Sequence, residues 1–268
     1  MLLFALLAGA LFACDKNNPE PEALIPIGIK TVIGDAPFVL GQDYPNLQGR
    51  LFRFDFLQLY VSDIKLVKTD GSEVALYSAD QDEPVWLFDF TKGKVIGTNG
   101  SKAADGTLRT EAFAAPAGEY EGLKFTLGVP AQFNGQDPVT YPTSHPLSEF
   151  NGAHWTWNSG YIFLKIDGQF DDSPTADGTA LNGSLTYHTG LDALRREVAF
   201  TGAQYRFSLT ADDKVAAPLD MTFDVEKLFY SDADTIDMVE KHLTHTTNDY
   251  DLAEKLMNNL ASHAISLP

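Results

Sequence analysis

Residues 51–68, LFRFDFLQLYVSDIKLVK, constrain the fold more than any other stretch of the chain. Apolar and polar residues alternate along them, and a two-residue period belongs to a strand, where successive side chains point to opposite faces. Phe52, Phe54 and Phe56 are expected on one face, with Arg53 and Asp55 on the other. The run ends at Asp70-Gly71, a hairpin signal, and 74–77 reads as the returning partner strand.

Most of the remaining sequence also reads as strands broken by Gly, Asp and Pro turns. Residues 25–32 alternate weakly, 85–90 (VWLFDF) read as a strand buried on both faces, and 118–129 read as a turn followed by a strand. Further strands are expected at 183–189, 204–209 and 219–225, and loops at 97–106 and 171–183. Residues 130–152 are rich in Pro, Asn, Gly and Ser and read as a long loop that delivers His145 to the neighbourhood of His154; such loops inside compact domains are usually functional or disordered. Residues 225–229 read as a short turn. Leu252, Leu256 and Leu260 recur at helical spacing within 249–263, with Asn248 or Asp249 available as the cap. The expected fold is all-β: an antiparallel β-sandwich with long loops and a short C-terminal helix.

The first 13 residues are apolar apart from Gly9 and carry no charge, but fall short of the roughly 20 needed to span a bilayer. They end in Leu11-Phe12-Ala13-Cys14, which resembles a bacterial lipoprotein signal and its lipobox, although no Lys or Arg precedes the apolar run. Cys14, the only cysteine, would take the lipid. Asn17 to Glu22 (NNPEPE) reads as a solvated tether, and Asp15-Lys16 resembles the surface-export signals of Bacteroidota lipoproteins. The expected organisation is a signal peptide at 1–13, a lipidated tether at 14–24 and a single domain at 25–268. The expected location is the cell envelope, anchored to the outer membrane by lipid, on the periplasmic face or the cell surface. No disulfide is available there, so stability must come from the core. The net charge of −18 argues against nucleic acid as a partner, since phosphate binding needs basic patches. It also argues against adhesion to anionic lipid, leaving the lipid anchor as the membrane contact.

The chain contains no G-x-S-x-G elbow, H-E-x-x-H pair, P-loop or G-x-G-x-x-G turn, and it is not expected to be an enzyme. Asp167, Asp171, Asp172 and Asp177 lack the spacing of an EF-hand and read as solvated turns. The histidines are the better lead. His145, His154, His188, His242, His245 and His263 offer imidazole, which suits copper, zinc and nickel. His242 and His245 also read as a polar loop before the last helix. Residues 154–163 (HWTWNSGYIF) hold two of the three tryptophans. Read as one extended strand, they put Trp155 and Trp157 on one face and His154 and Thr156 on the other. Two indoles side by side are a piece of core, a stacking platform for sugars, or a chemical site.

Several of these segments resemble the MbnP-like family, the methanobactin-cassette partner proteins and their Bacteroidota relatives. Leu59-Tyr60-Val61-Ser62-Asp63-Ile64-Lys65-Leu66 before Asp70-Gly71 resembles its Y-x-S-x-x-x-L segment. Phe125-Thr126-Leu127-Gly128-Val129-Pro130 with Asn134 resembles its F-x-x-G-V-P block. His145-Pro146-Leu147 followed by Trp155-Thr156-Trp157-Asn158-Ser159-Gly160-Tyr161 is the most specific match, and Tyr187-His188-x-Gly190 is similar to a fourth motif. The family is related to copper-repressible surface proteins of methanotrophs. The resemblance implies a Cu(I) site of two histidines and a kynurenine, a tryptophan opened oxidatively by a dihaem partner of the cytochrome c peroxidase type. Carried over, Trp155 or Trp157 would be modified and His188 would be one ligand, with His154, His145 and His245 competing to be the second. The competing reading is a glycan- or protein-binding surface lipoprotein without metal, with Trp155, Trp157 and Tyr161 as an exposed platform. The metal reading expects two imidazoles and an indole to converge within about 5 Å or so; the platform expects an indole largely open to solvent.

Overall fold

The alternating segment forms a single strand over its whole length, and the rest of the sheet is built on it. The computed structural model describes residues 22–77, 83–155, 160–176, 180–212, 215–231 and 234–268. In chain order the principal elements are β1 (Glu22–Ile25), β2 (Ile27–Ile33), β3 (Leu51–Lys68), β4 (Val85–Asp89), β5 (Gly118–Leu127), β6 (Ile162–Phe170), β7 (Gly183–Gly190), β8 (Leu219–Asp224), β9 (Leu243–Thr244) and α1 (Tyr250–Asn259). One edge of β3 pairs with β6 through residues 52–59 and with β5 through residues 61–68. Its other edge pairs with β4 and with the hairpin arm Glu73–Ala75, across a turn in which Gly71 has φ 84°. That positive φ is why the turn uses Asp-Gly.

From β4 the ladder runs through Lys94–Ile96, Gly100–Lys102 and Leu108–Arg109 to β2, which pairs in parallel with β8. The segment 97–106, expected as a loop, thus contributes a short strand. In the other direction β6 pairs antiparallel with β7, and β7 pairs in parallel with β9. The expected sandwich forms, mostly antiparallel, with its ladder folded round one core in the manner of a barrel. Phe52 and Phe54 are fully buried and make ring contacts with Phe38 and Phe229. Every residue of β4 is buried, and Trp86 meets Phe113 edge-on at 5.2 Å.

Three sequence expectations need correction. Phe56 does not share the face of Phe52 and Phe54. The register between β3 and β6 shifts at Asp167/Gly168, leaving Asp55 as an extra residue, and a bulge of one residue reverses the alternation beyond it. Leu57 and Leu59 take the buried positions instead, and Phe56 lies beneath Lys165 Nζ at 4.8 Å. The second correction concerns the domain start. β1 begins at Glu22, because Ala23 and Ile25 are buried in a strand pair with Phe113–Pro116. Cys14 and residues 1–21 lie outside the described residues.

The third correction is the tryptophan segment, which is not one strand. His154 and Tyr161 face each other in an antiparallel bridge, Trp155 N donates to Gly160 O, and Ile162 N donates to Ala153 O. Residues up to Trp155 and from Gly160 onward therefore run antiparallel to one another, and Gly160 has φ 122°. Thr156, Trp157, Asn158 and Ser159 lie outside the described residues. The C-terminal helix forms as expected, with the Asp249 side chain accepting from Leu252 N and with Leu252, Leu256 and Leu260 buried. Among the described residues no helix is long and apolar enough to cross a membrane.

Candidate metal centre

Strand β7 divides its residues between two environments. Leu185, Tyr187 and Thr189 point into the core, where the Thr189 hydroxyl meets Met257 Sδ at 3.0 Å. By alternation Thr186, His188 and Gly190 occupy the opposite face. The neighbouring strand β6 places Lys165 opposite His188 and Asp167 opposite Thr186. From that diagonal position Asp167 Oδ1 reaches His188 Nε2 at 2.9 Å. The segment after β9 then lays His245 against the other side of the same ring, with the two Nδ1 atoms 3.2 Å apart and the ring centroids 4.9 Å apart.

The carboxylate decides the tautomer. Ionised Asp167 can only accept, so His188 carries its proton on Nε2 and presents the Nδ1 lone pair to His245. The donor of the pair is then His245 Nδ1–H. Burial holds the His245 pKa below its ordinary value, the neighbouring His188 adds to this, and Asp167 opposes it. Burial pushes the Asp167 carboxyl up, but the hydrogen bond from His188, helped by Lys165 and Thr186, outweighs it, leaving the group below its ordinary value. The site thus favours a neutral His245 and an ionised orienting carboxylate, the states in which nitrogen ligands take up a metal.

Trp155 completes the neighbourhood. Its side chain is only 2% exposed. A Cβ added at Gly190 would stand 2.5 Å from Cζ3 of the indole and closer still to Cη2. The benzo edge therefore lies on the Gly190 backbone, two residues along β7 from His188 and on the same face. The indole Nε1 is buried with no hydrogen-bond partner among the described residues. An orphaned buried donor costs about 1–3 kcal/mol, and such groups call for an explanation.

The other histidines sit elsewhere. His154 accepts from Gly160 N at 3.4 Å and meets Tyr161 edge-on at 4.9 Å, inside its own hairpin. His145 contacts Glu83 at 3.1 Å, accepts from Leu147 N and stacks on Tyr141 at 4.3 Å. It helps fasten the 130–152 loop, to which Tyr60 and Tyr161 also donate through their hydroxyls. His242 packs on Phe170 with Nδ1 near Val239 O, and His263 is exposed. Of the candidates, His188 and His245 are thus brought together, while His154 and His145 are engaged apart from that pair. Among the described residues no three or more His, Cys, Asp or Glu side chains form a metal cluster. The acidic segment shows none either: Asp167 serves His188, Asp171 is buried and accepts from Ser173 N, and Asp177 lies outside the described residues. The role of Asp167 was not read from sequence; its visible signal was its place two residues from Lys165 on the strand paired with β7.

A pH dependence follows. Burial is the largest cause of a lowered pKa at His245, His145 and His154 alike. The unfolded chain takes up these protons near pH 6.5, above the folded chain, so their contribution to stability is full above about 6.5 and is lost as pH falls through the folded values. Thermal unfolding should show a plateau in Tm at about pH 7–8 and a fall by about pH 5.5. A Tm that stayed level or rose across that interval would contradict the burial of these rings as neutral groups.

Residues 23–250 match the family model described as MbnP. Among solved structures, MbnP from Methylosinus trichosporium is similar, with a TM-score of 0.51 and 19% identity over 80% of this chain and 80% of that chain. At that identity the likeness concerns the fold. No curated protein matches the chain.

Proposed function

The chain belongs to the MbnP family, and on that premise we propose that it is a lipid-anchored copper-binding protein of the cell envelope, with His188 and His245 as its imidazole ligands. The observation that carries this reading is the 3.2 Å separation of the two Nδ1 atoms. Two nitrogens that each lie about 2.0 Å from one ion are themselves roughly 3–4 Å apart, so the pair fits a shared metal with little movement once the His245 proton passes from Nδ1 to Nε2 and frees the second lone pair. The Asp167–His188 contact is the usual support of a metal-bound imidazole, fixing tautomer and ring orientation. Neutral nitrogen donors suit copper, which is bound here as an ion to be held rather than as the centre of a reaction.

Two imidazoles leave room for a further donor, and the Trp155 indole lies on Gly190, two residues along β7 from His188 and on the same face. An indole has an N–H donor and no free lone pair for a metal. Oxidative opening to kynurenine would supply an aryl amine. In that step two equivalents of hydrogen peroxide, a two-electron oxidant each, would place one oxygen on each of indole C2 and C3 with cleavage of the bond between them and release of two waters, and a third water would hydrolyse the N-formyl group, freeing C2 as formate. A dihaem peroxidase-like partner is the class of protein that would deliver the oxidant. Trp157 remains the alternative substrate. The glycan-platform reading is weakened by burial, since Trp155 and Tyr161 are 2% and 0% exposed.

The test has two parts. Purified protein should retain about one Cu(I) per chain against a chromophoric chelator, and failure to retain any would sink the proposal. Protein from the native host should show a net gain of one oxygen and loss of one carbon on the peptide holding Trp155 and Trp157. Copper retained by a chain lacking that change would leave the histidine pair standing and remove kynurenine as a requirement.

A further inference from the structure

We infer that Thr246 is the positioning residue of the His188–His245 pair, its hydroxyl taking the place of a missing strand residue at the edge of β7. This rests on reading the pair as the copper site. Strand β9 pairs with β7 only at Thr186↔Leu243 and Tyr187↔Thr244. Beyond Thr244 the ladder stops. The edge groups His188 C=O and Gly190 N–H are instead bound by one side chain: Thr246 Oγ1 donates to His188 O at 3.0 Å and accepts from Gly190 N at 2.9 Å. One hydroxyl supplies one donor and an acceptor, so the assignment is complete.

The two residues so bracketed are those against which the candidate metal-binding groups lie. His188 carries the first imidazole, and Gly190 carries the Trp155 indole. Thr246 is fully buried and directly follows His245 in the chain. Its own N–H donates to Thr244 Oγ1, whose hydroxyl in turn donates to Asp249 O at the cap of α1. The segment carrying His245 is therefore tied at one end to β7 and at the other to the helix. Thr246 also has φ 65°, a left-handed conformation that a β-branched residue rarely adopts. A sequence needing only the turn would be served by glycine or asparagine there. Threonine at such a φ, with both hydroxyl functions used, points to the hydroxyl as the reason for the residue.

Three variants separate hydroxyl from turn. Thr246→Ser keeps the hydroxyl, Thr246→Val keeps the shape and loses it, and Thr246→Gly relieves the backbone and loses it. Two readouts are needed: the His188–His245 ring contact in metal-free protein, by NMR of labelled histidine, and Cu(I) affinity by chelator competition. Thr246→Ser should keep the contact and bind within about threefold of wild type. Thr246→Val and Thr246→Gly should lose the contact and bind about 10–100-fold more weakly, the usual loss when a group supporting a metal ligand is removed. If Thr246→Val does not fold, Thr246→Gly decides. A Thr246→Gly chain with the ring contact and affinity of wild type would overturn the inference while leaving the copper reading intact. Conversely, a wild-type chain that binds no copper, whose ring contact is lost in Thr246→Gly and kept in Thr246→Ser, would sink the copper reading and retain the positioning role.

Discussion

Replacing His188 with alanine should abolish copper retention and leave the fold standing. The imidazole is held between two groups that both concern the site, Asp167 on Nε2 and His245 on Nδ1. Its removal takes away one of the two proposed nitrogen ligands and leaves the other without its partner. A loss of at least about 100-fold in Cu(I) affinity is expected, or roughly 3 kcal/mol. The effect on stability should be much smaller. His188 is itself buried, but it lies on the face of β7 opposite the core-facing Tyr187 and Thr189, and the Asp167 side chain is 39% exposed and can be solvated when its partner goes. A change within about 1 kcal/mol is expected, readable as a small shift in Tm. His245→Ala should behave in the same way. His154→Ala is the control, because that ring is engaged with Gly160 and Tyr161 in its own hairpin. Chelator competition on the three variants decides the assignment. A His188→Ala chain that holds copper as wild type does, or a His154→Ala chain that loses it equally, would show that the ligands are wrongly chosen.

Local pattern made much of the sheet legible, and distance along the chain concealed the site. Alternation in 51–68 placed β3, and Asp70-Gly71 placed its hairpin, because both depend on near neighbours. The bulge at Asp55 escaped notice because it is set by register against β6, more than 100 residues away by pairing with Gly168 and Asp167. The antiparallel bridge between His154 and Tyr161 was not legible, because the aromatic alternation of 154–163 reads as one strand. His188 and His245 are 57 residues apart, and no spacing rule joins them. Their meeting depends on the parallel pairing of β7 with β9, an irregular contact of two residue pairs. Thr246 was invisible for a related reason: its positive φ contradicts the preference of its own residue type.

Gly190→Ala should have the opposite profile, a large loss of stability that takes the indole with it. Gly190 needs no left-handed backbone; it is glycine because of what lies on it. An added Cβ would be 2.5 Å from Trp155 Cζ3 and closer to both Trp155 Cη2 and the carbonyl oxygen of Tyr161. Carbon atoms in contact normally stand about 3.5–4.0 Å apart, so one partner must move by an ångström or more. The Tyr161 backbone is poorly placed to yield, because its N–H donates to Asn134 Oδ1 and its hydroxyl to Leu147 O. The Trp155 ring is the group that gives way, and its displacement opens the bridge between His154 and Tyr161. Overpacking costs about 1–3 kcal/mol, and partial exposure of a buried indole adds to it, so a loss of roughly 3 kcal/mol or more is expected. In a chain of this size that corresponds to a Tm lower by about 6–12 °C, accompanied by red-shifted tryptophan emission. The fluorescence change places the loss at Trp155 or Trp157, since Trp86 is buried with Phe113 on the far side of β3 from β6, and repeating the measurement in a Trp157→Phe background assigns it to Trp155. A Gly190→Ala chain that melted with wild type would mean that the indole does not rest on β7. The placement of Trp155 on the His188 face of β7 would then fall, and with it the physical case for proposing that tryptophan, rather than Trp157, for oxidation.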